Sequence, residues 1–246
     1  MNKSKIVDKR IGFYEEVCTQ TLDKTLEITD EKVFSENGKI YREWNPYNCK
    51  LAAAIKNGLQ IMPILKNSKV LCMSDNISTI IHISDLVDEN GIVFVKNFDH
   101  NSEIKNSLLK RKNIVIINKK LMDNENKFDA NNMILDVIFL DYNKNEEPNG
   151  LISENKKNLK NNGFLMIVKK NMMHNEKIDE NMPEWMKEQK SGLEETRNLV
   201  KKLSENFEIL QVINLGLNYM SKIPYHKSHS FILSRSWELT KKKRMN

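Results

Sequence analysis

The chain is predicted to fold as an α/β protein: an open, mostly parallel seven-stranded sheet with helices on both faces, preceded by a small β-rich N-terminal subdomain. Three observations predict it. Seven short apolar runs, 70–73, 92–96, 114–117, 134–141, 164–169, 207–214 and 230–234, have the length of strands. Through most of the middle they are separated by helical or irregular polar segments, the alternation that strand–helix–strand units produce. Asp141 and Lys169 each close an apolar run with a charge, at the carboxyl strand ends where open sheets of this kind bind ligands.

The elements follow in order. Residues 1–45 hold short alternating pieces, "RIGFYEEVCTQTL", "KTLEITDEKVF" and "GKIYREW", separated by Asp, Glu and Asn-Gly turn signals; they predict the antiparallel leader. The main domain is placed at 46–236. Its first helix is expected in "KLAAAIKNGLQIMPIL", alanine- and leucine-rich at helical spacing until Pro63 interrupts it. The "DENG" turn introduces the second strand, and "NNG" before "FLMIVKK" marks a helix stop with Gly163 in the left-handed conformation. The segment "PEWMKEQKSGLEETRNLVKKLSENF" reads as one long helix, or two broken at Gly192, feeding the sixth strand. A basic tail, 237–246, ends in "KKKRMN", a nuclear address or simply a basic end.

Composition narrows the class. With 39% hydrophobic residues over 246 positions the chain can bury a sizeable core, and its 29% charged residues lie largely in Asn- and Lys-rich loops. A net charge of +6 suits a polyanionic partner such as RNA, through counterion release, although loop lysines alone would also produce it. Cys18, Cys49 and Cys72 stand far apart with no histidine at ligand spacing, so they read as reduced intracellular thiols, and no metal is expected. No apolar stretch approaches the ~20 residues of a membrane span, so no membrane association is expected.

Four phrases are specific: "YREWNPYNCKLAAAI", "HISDLVDENGIVFVKNF", "KRKNIVII" and "LDVIFLD". Together they resemble fibrillarin, the RNA 2′-O-methyltransferase family of box C/D ribonucleoproteins, over about Cys18 to Arg235. The resemblance implies a Rossmann-like methyltransferase fold, S-adenosylmethionine as methyl donor, and a ribose 2′-hydroxyl of ribosomal RNA as acceptor, in rRNA processing. It also implies a box C/D guide RNA, a Nop56/Nop58-type scaffold protein, RNA rather than DNA, and a nuclear, nucleolar location. The Gly- and Arg-rich leader of eukaryotic members is missing, so the chain resembles a core version.

Methyl transfer to a hydroxyl is an in-line displacement in which the hydroxyl is aligned with the methyl carbon and relieved of its proton. By resemblance Lys50, Asp141, Lys169 and His229 occupy the family's catalytic positions. Lys169 is then the base or alkoxide stabiliser, Asp141 its orienting anion, and Lys50 and His229 substrate-side groups. The plainer readings are a phosphate-binding Lys50, a strand-end Lys169 and a surface His229, with His226 three residues away as a competing histidine.

The cofactor segments depart from the family. The loop after the first strand lacks both of the family's glycines and is one residue shorter; Ser78 and Thr79 align with its threonine pair, and Asn76 is a residue that tolerates positive φ. Asn97-Phe98 stands where a Glu-Phe pair binds the ribose diol, with Asp99 as a replacement carboxylate two positions on. Lys120-Leu121 replaces an Asp-Ala pair at the adenine, and Lys144, three after Asp141, replaces a glutamine. Lost charge-assisted contacts at roughly 1.5–3 kcal/mol each weaken binding by orders of magnitude. Three functions are therefore weighed: an active RNA 2′-O-methyltransferase, a catalytically impaired scaffold subunit of the same kind of particle, and a small-molecule methyltransferase on the same fold.

Overall fold

Two sheets organise the chain in the computed structural model, which describes residues 6–11, 14–21, 29–96, 98, 100–117, 134–142, 150, 152, 156–170, 184–216, 226 and 229–237. The smaller sheet is antiparallel, in the order β1-β2-β4-β3, from β1 (Ile6–Ile11), β2 (Tyr14–Gln20), β3 (Val33–Glu36) and β4 (Lys39–Glu43). The Asn-Gly signal becomes the β3–β4 turn, with Asn37 at φ 51 and Gly38 at φ 72, both positive as a two-residue hairpin of this twist requires.

The larger sheet has the order β10-β11-β9-β8-β5-β6-β7. Its strands are β5 (Lys69–Met73), β6 (Ile92–Lys96), β7 (Ile114–Ile117), β8 (Leu135–Tyr142), β9 (Leu159–Lys170), β10 (Phe207–Asn214) and β11 (His229–Ser236). The pairs within β7-β6-β5-β8-β9 are parallel, whereas β11 runs antiparallel to both β9 and β10. From β5 the chain moves outward to β6 and β7, then returns to place β8 on the other side of β5. That reversal opens a crevice beyond the carboxyl ends of β5 and β8.

Alternation along the strands divides the core between two faces, because successive strand side chains point opposite ways. Cys72, Val95, Phe139, Val168 and Phe231 face one side, where they meet Leu51 and Ala54 of α1 (Lys50–Lys56), Ile80 and Ile83 of α2 (Ile77–Val87) and Leu108 of α3 (Ser102–Leu109). Leu71, Phe94, Leu140, Ile167 and Ile232 face the other, against Leu199 and Leu203 of α4 (Glu184–Ser204). Each fully buried side chain of this size contributes about 1.5–3 kcal/mol. Helices therefore cover both faces, as the alternating pattern predicts.

Three local expectations change. α1 stops at Lys56 rather than running to Pro63: Gly58, at φ 91, takes the left-handed position, and the bonds Leu59 N–H to Ala54 O (3.0 Å) and Gly58 N–H to Ile55 O (3.0 Å) close a Schellman cap. At "NNG" the left-handed residue is Asn162, at φ 60, not Gly163, and the segment belongs to β9, which has an irregular register there. α4 runs through Gly192 unbroken. Of the basic tail, 238–246 lies outside the described residues.

Candidate active site at the carboxyl end of the sheet

Strand alternation puts Asp141 on the face of Val137 and Phe139, the side covered by α1. Lys50, the first residue of α1, donates from Nζ to Asp141 Oδ1 at 2.7 Å. The pair is sheltered, with 12% of the lysine side chain and 2% of the aspartate side chain exposed. Removing one partner of such a pair leaves a buried charge, at a cost of about 3–5 kcal/mol. The second carboxylate oxygen accepts from Ser74 Oγ at 3.4 Å, and Ser74 Oγ in turn accepts the Asn76 N–H at 3.1 Å. One chain of polar contacts thus runs from α1 through the end of β8 to the loop after β5.

Lys169 is elsewhere. It shares the face of Leu165 and Ile167, which α4 covers, and its Nζ donates to Glu195 Oε2 at 2.5 Å. Thr196 beside it donates to Ser230 at 3.1 Å, and Ser230 is the cross-strand partner of Lys169, so helix and strand are pinned at this point. The expected pairing of Asp141 with Lys169 is corrected accordingly: Asp141 orients Lys50, and Glu195 holds Lys169. Glu195 carries no signal in the sequence, because nothing local separates it from its neighbour Glu194 on an exposed-looking helix.

His229 opens β11 opposite Lys170 and lies on the face of Phe231, the same side as Lys50 and Asp141. Its carbonyl accepts the Leu215 N–H at 2.9 Å, and the Leu215 carbonyl accepts the His226 N–H at 3.1 Å. The two histidine rings meet edge-on with centroids 6.0 Å apart. Burial pushes the His226 imidazole below its usual range, as do the charges of His229 and Lys50, against the opposing pull of the Pro46 carbonyl it bonds and of Asp141. Its Nε2 is buried with no hydrogen-bond partner among the described residues.

On the cofactor side, Asn76 does not adopt positive φ. It caps α2 at φ −79, its Oδ1 accepting the Thr79 N–H at 2.8 Å, while its Nδ2 donates to Asn48 O at 2.9 Å. The hydroxyls expected to serve a ligand are committed inside the protein: Ser78 donates to Glu31, and Thr79 donates to Asn76 Oδ1 at 3.0 Å and lies 3.1 Å from Cys49 Sγ. Burial pushes the Cys49 thiol up to about 11, so it acts as packing rather than as a nucleophile. Phe98 is buried and packs on His100, whose Nε2 lies 2.7 Å from the Asp75 carbonyl and so bridges the loop to the end of β6. Asn97, Asp99, Lys120, Leu121 and Lys144 lie outside the described residues.

Comparison with known proteins extends this picture. The family model described as Fibrillarin matches residues 6–236. The fibrillarin-like rRNA/tRNA 2′-O-methyltransferase of Saccharolobus solfataricus is 29% identical over 226 residues, 89% of this chain and 88% of that protein. The like-named protein of Pyrobaculum aerophilum is 40% identical, but over 85 residues, 34% of this chain and 36% of its own length. Among solved structures, the fibrillarin pre-rRNA processing protein of Methanococcus jannaschii superposes with a TM-score of 0.67 at 26% identity, covering 96% of this chain and 99% of that one. The fold is shared too with the fibrillarin of Aeropyrum pernix bearing natively bound S-adenosyl-L-methionine, at a TM-score of 0.66 and 21% identity over 93% of this chain and 92% of that one. A family match over nearly the whole length, on a sheet of this order with Lys50 and Asp141 joined at its carboxyl end, shows that the chain belongs to the fibrillarin family.

Proposed function

We propose that the chain is an S-adenosylmethionine-dependent RNA 2′-O-methyltransferase that modifies ribose hydroxyls of ribosomal RNA. In this proposal it works in rRNA processing within a box C/D guide-RNA particle, beside a Nop56/Nop58-type scaffold protein, and a nuclear, nucleolar location goes with it. Relatives named as rRNA/tRNA 2′-O-methyltransferases and a neighbour solved as a fibrillarin/Nop5p complex support the reading. The observation that carries it is the Lys50–Asp141–Ser74 chain at the strand reversal.

The described residues suit a cationic cofactor. Asp141 offers a sheltered carboxylate at the strand end, and Ser74 ties it to the loop that would approach the ligand. When bound, S-adenosylmethionine supplies an electrophilic methyl group on a sulfonium. Lys50, fixed by Asp141, presents an ammonium that stabilises the alkoxide developing on the acceptor. Lys169, anchored by Glu195, adds positive charge at the neighbouring strand end for the RNA backbone.

One observation favours the scaffold reading. The hydroxyls of Ser78 and Thr79 are taken within the protein, and His100 occupies the Asp75 carbonyl. A methyl-transfer assay on the reconstituted particle decides between the two readings: turnover by the natural chain, lost about 10²–10³-fold in Asp141→Asn, supports the enzyme. Assembly of the particle without any transfer supports the scaffold.

A further inference from the structure

We propose that Glu31, in the leader, is a positioning residue for S-adenosylmethionine binding: by holding Ser78 it fixes the first turn of α2 and, with it, the loop after β5. The inference rests on the methyltransferase reading and gives the committed Ser78 hydroxyl a part in it.

A buried polar stripe joins the leader to α2. Ser78, His82 and Asp85 follow at the i, i+4, i+7 spacing that puts residues on one helix face, and they are 6%, 0% and 0% exposed. Each meets a leader residue. Glu31 accepts from Ser78 on one carboxylate oxygen, and His82 Nε2 lies 3.1 Å from the other. Thr19 lies 2.7 Å from His82 Nδ1 and donates to Asp85 at 3.4 Å, and Thr21 donates to Asp85 at 3.3 Å. Such bonds hold the helix in one register against the leader, because a shift would leave each of these groups buried and unpaired. Glu31 is itself fixed. Its side chain is 4% exposed, Thr29 donates to it at 3.2 Å, and Arg42, from β4, donates to Thr29 at 3.3 Å.

Along this stripe the bond from Ser78 to Glu31 is the one beside the ligand loop. Ser78 belongs to the first turn, whereas at Asp85 the helix has risen roughly 13 Å beyond Asn76, at ~1.5 Å per residue. The first turn carries the site's connections. The Asn76 N–H donates to Ser74 Oγ at 3.1 Å, Ser74 Oγ donates to Asp141 at 3.4 Å, and Asn76 Nδ2 donates at 2.9 Å to the carbonyl of Asn48, just before the start of α1. A first turn that tilts draws Asn76 away from both Ser74 and Asn48, and so loosens the carboxylate that would face the sulfonium. Because the loop holds no glycine, its shape depends on these side-chain bonds, and Glu31 anchors the helix they start from.

The test titrates S-adenosylmethionine calorimetrically into the full chain assembled with guide RNA and scaffold protein. Glu31→Ala and Ser78→Ala are each expected to weaken binding about tenfold, and the double variant no further, because both cut one connection. Thr21→Val cuts the stripe at its far end and serves as the control for lost stability; its affinity should stay within about twofold. In the free chain, the Thr79 amide, bonded to Asn76 Oδ1 at 2.8 Å, should exchange its hydrogen about tenfold faster in Glu31→Ala. Affinities of Glu31→Ala and Ser78→Ala within about twofold of the natural chain overturn the proposal, as does an equal loss in Thr21→Val. A further loss on adding Ser78→Ala to Glu31→Ala also overturns it, since Ser78 would then act on the cofactor directly. Natural chain that binds no cofactor at millimolar concentration overturns the methyltransferase reading and this proposal together; failure of the proposal alone is distinct, because there the natural chain binds.

Discussion

Asp141 joins three segments at one point, accepting from Lys50 on one oxygen and from Ser74 on the other. Asp141→Asn keeps the shape and removes the charge, so it leaves the Lys50 ammonium sheltered and unneutralised. We expect a loss of about 3–5 kcal/mol in unfolding free energy by urea titration if Lys50 stays charged, and a smaller loss in the double variant with Lys50→Met. Glu195→Gln is expected to free Lys169 and lower kcat about tenfold, with cofactor affinity unchanged, by steady-state kinetics against titrated binding. The Lys50 phrase and the charge of Asp141 closing an apolar strand single those two residues out in the sequence, and the structure joins them; His229 is reached through the family resemblance alone. The sequence did not show that Lys169 turns away, since that depends on strand register: Tyr142, not Asp141, is the cross-strand partner of Lys169. Nor did it distinguish His226 from His229, because the groups that act on the His226 imidazole, Lys50, Pro46 and Asp141 among them, lie far away in the chain.

At the scale of elements, the cap of α2 replaces what a glycine loop would supply. Asn76 binds the Thr79 N–H with its side chain and Asn48 with its amide, so the loop is held by side-chain bonds rather than by close backbone approach. Asn76→Ala is expected to cost about 1 kcal/mol in the midpoint analysis of urea unfolding and to weaken cofactor binding as the loop loosens. An unchanged unfolding midpoint would show that the cap is idle. The strands were legible where apolar runs are clean: 92–96, 114–117 and 207–214 coincide with β6, β7 and β10. Helix ends were less so. The α1 pattern continues past Lys56 in composition, but Gly58 closes the cap before Pro63 is reached, and at "NNG" an asparagine rather than the glycine takes the left-handed turn.

Across the whole molecule, the leader is tied to the main domain by a buried polar network. Thr19 lies 2.7 Å from His82 Nδ1, and Arg111 donates to Asp85 at 2.7 Å and to Thr21 at 3.3 Å. Glu31 accepts from Ser78 and lies 3.1 Å from His82 Nε2, under a ring stacked on Trp44. Burial alone would raise the Glu31 carboxyl, but the bond and charge of His82 and the hydroxyls of Ser78 and Thr29 outweigh it and hold the group below its ordinary 4.5. A depressed carboxyl stabilises the fold above its unfolded value and loses that contribution as pH falls through the folded one. Stability measured by urea titration should therefore drop below about pH 4.5, and Glu31→Gln should remove that part of the slope.

We infer that this site still serves S-adenosylmethionine although Ser78 and Thr79 are committed elsewhere. Isothermal titration of the cofactor into the chain assembled with guide RNA and scaffold protein tests it most directly. Saturable heat at one cofactor per chain, reduced at least tenfold in affinity by Asp141→Asn, is the predicted result. No heat at millimolar cofactor would contradict it.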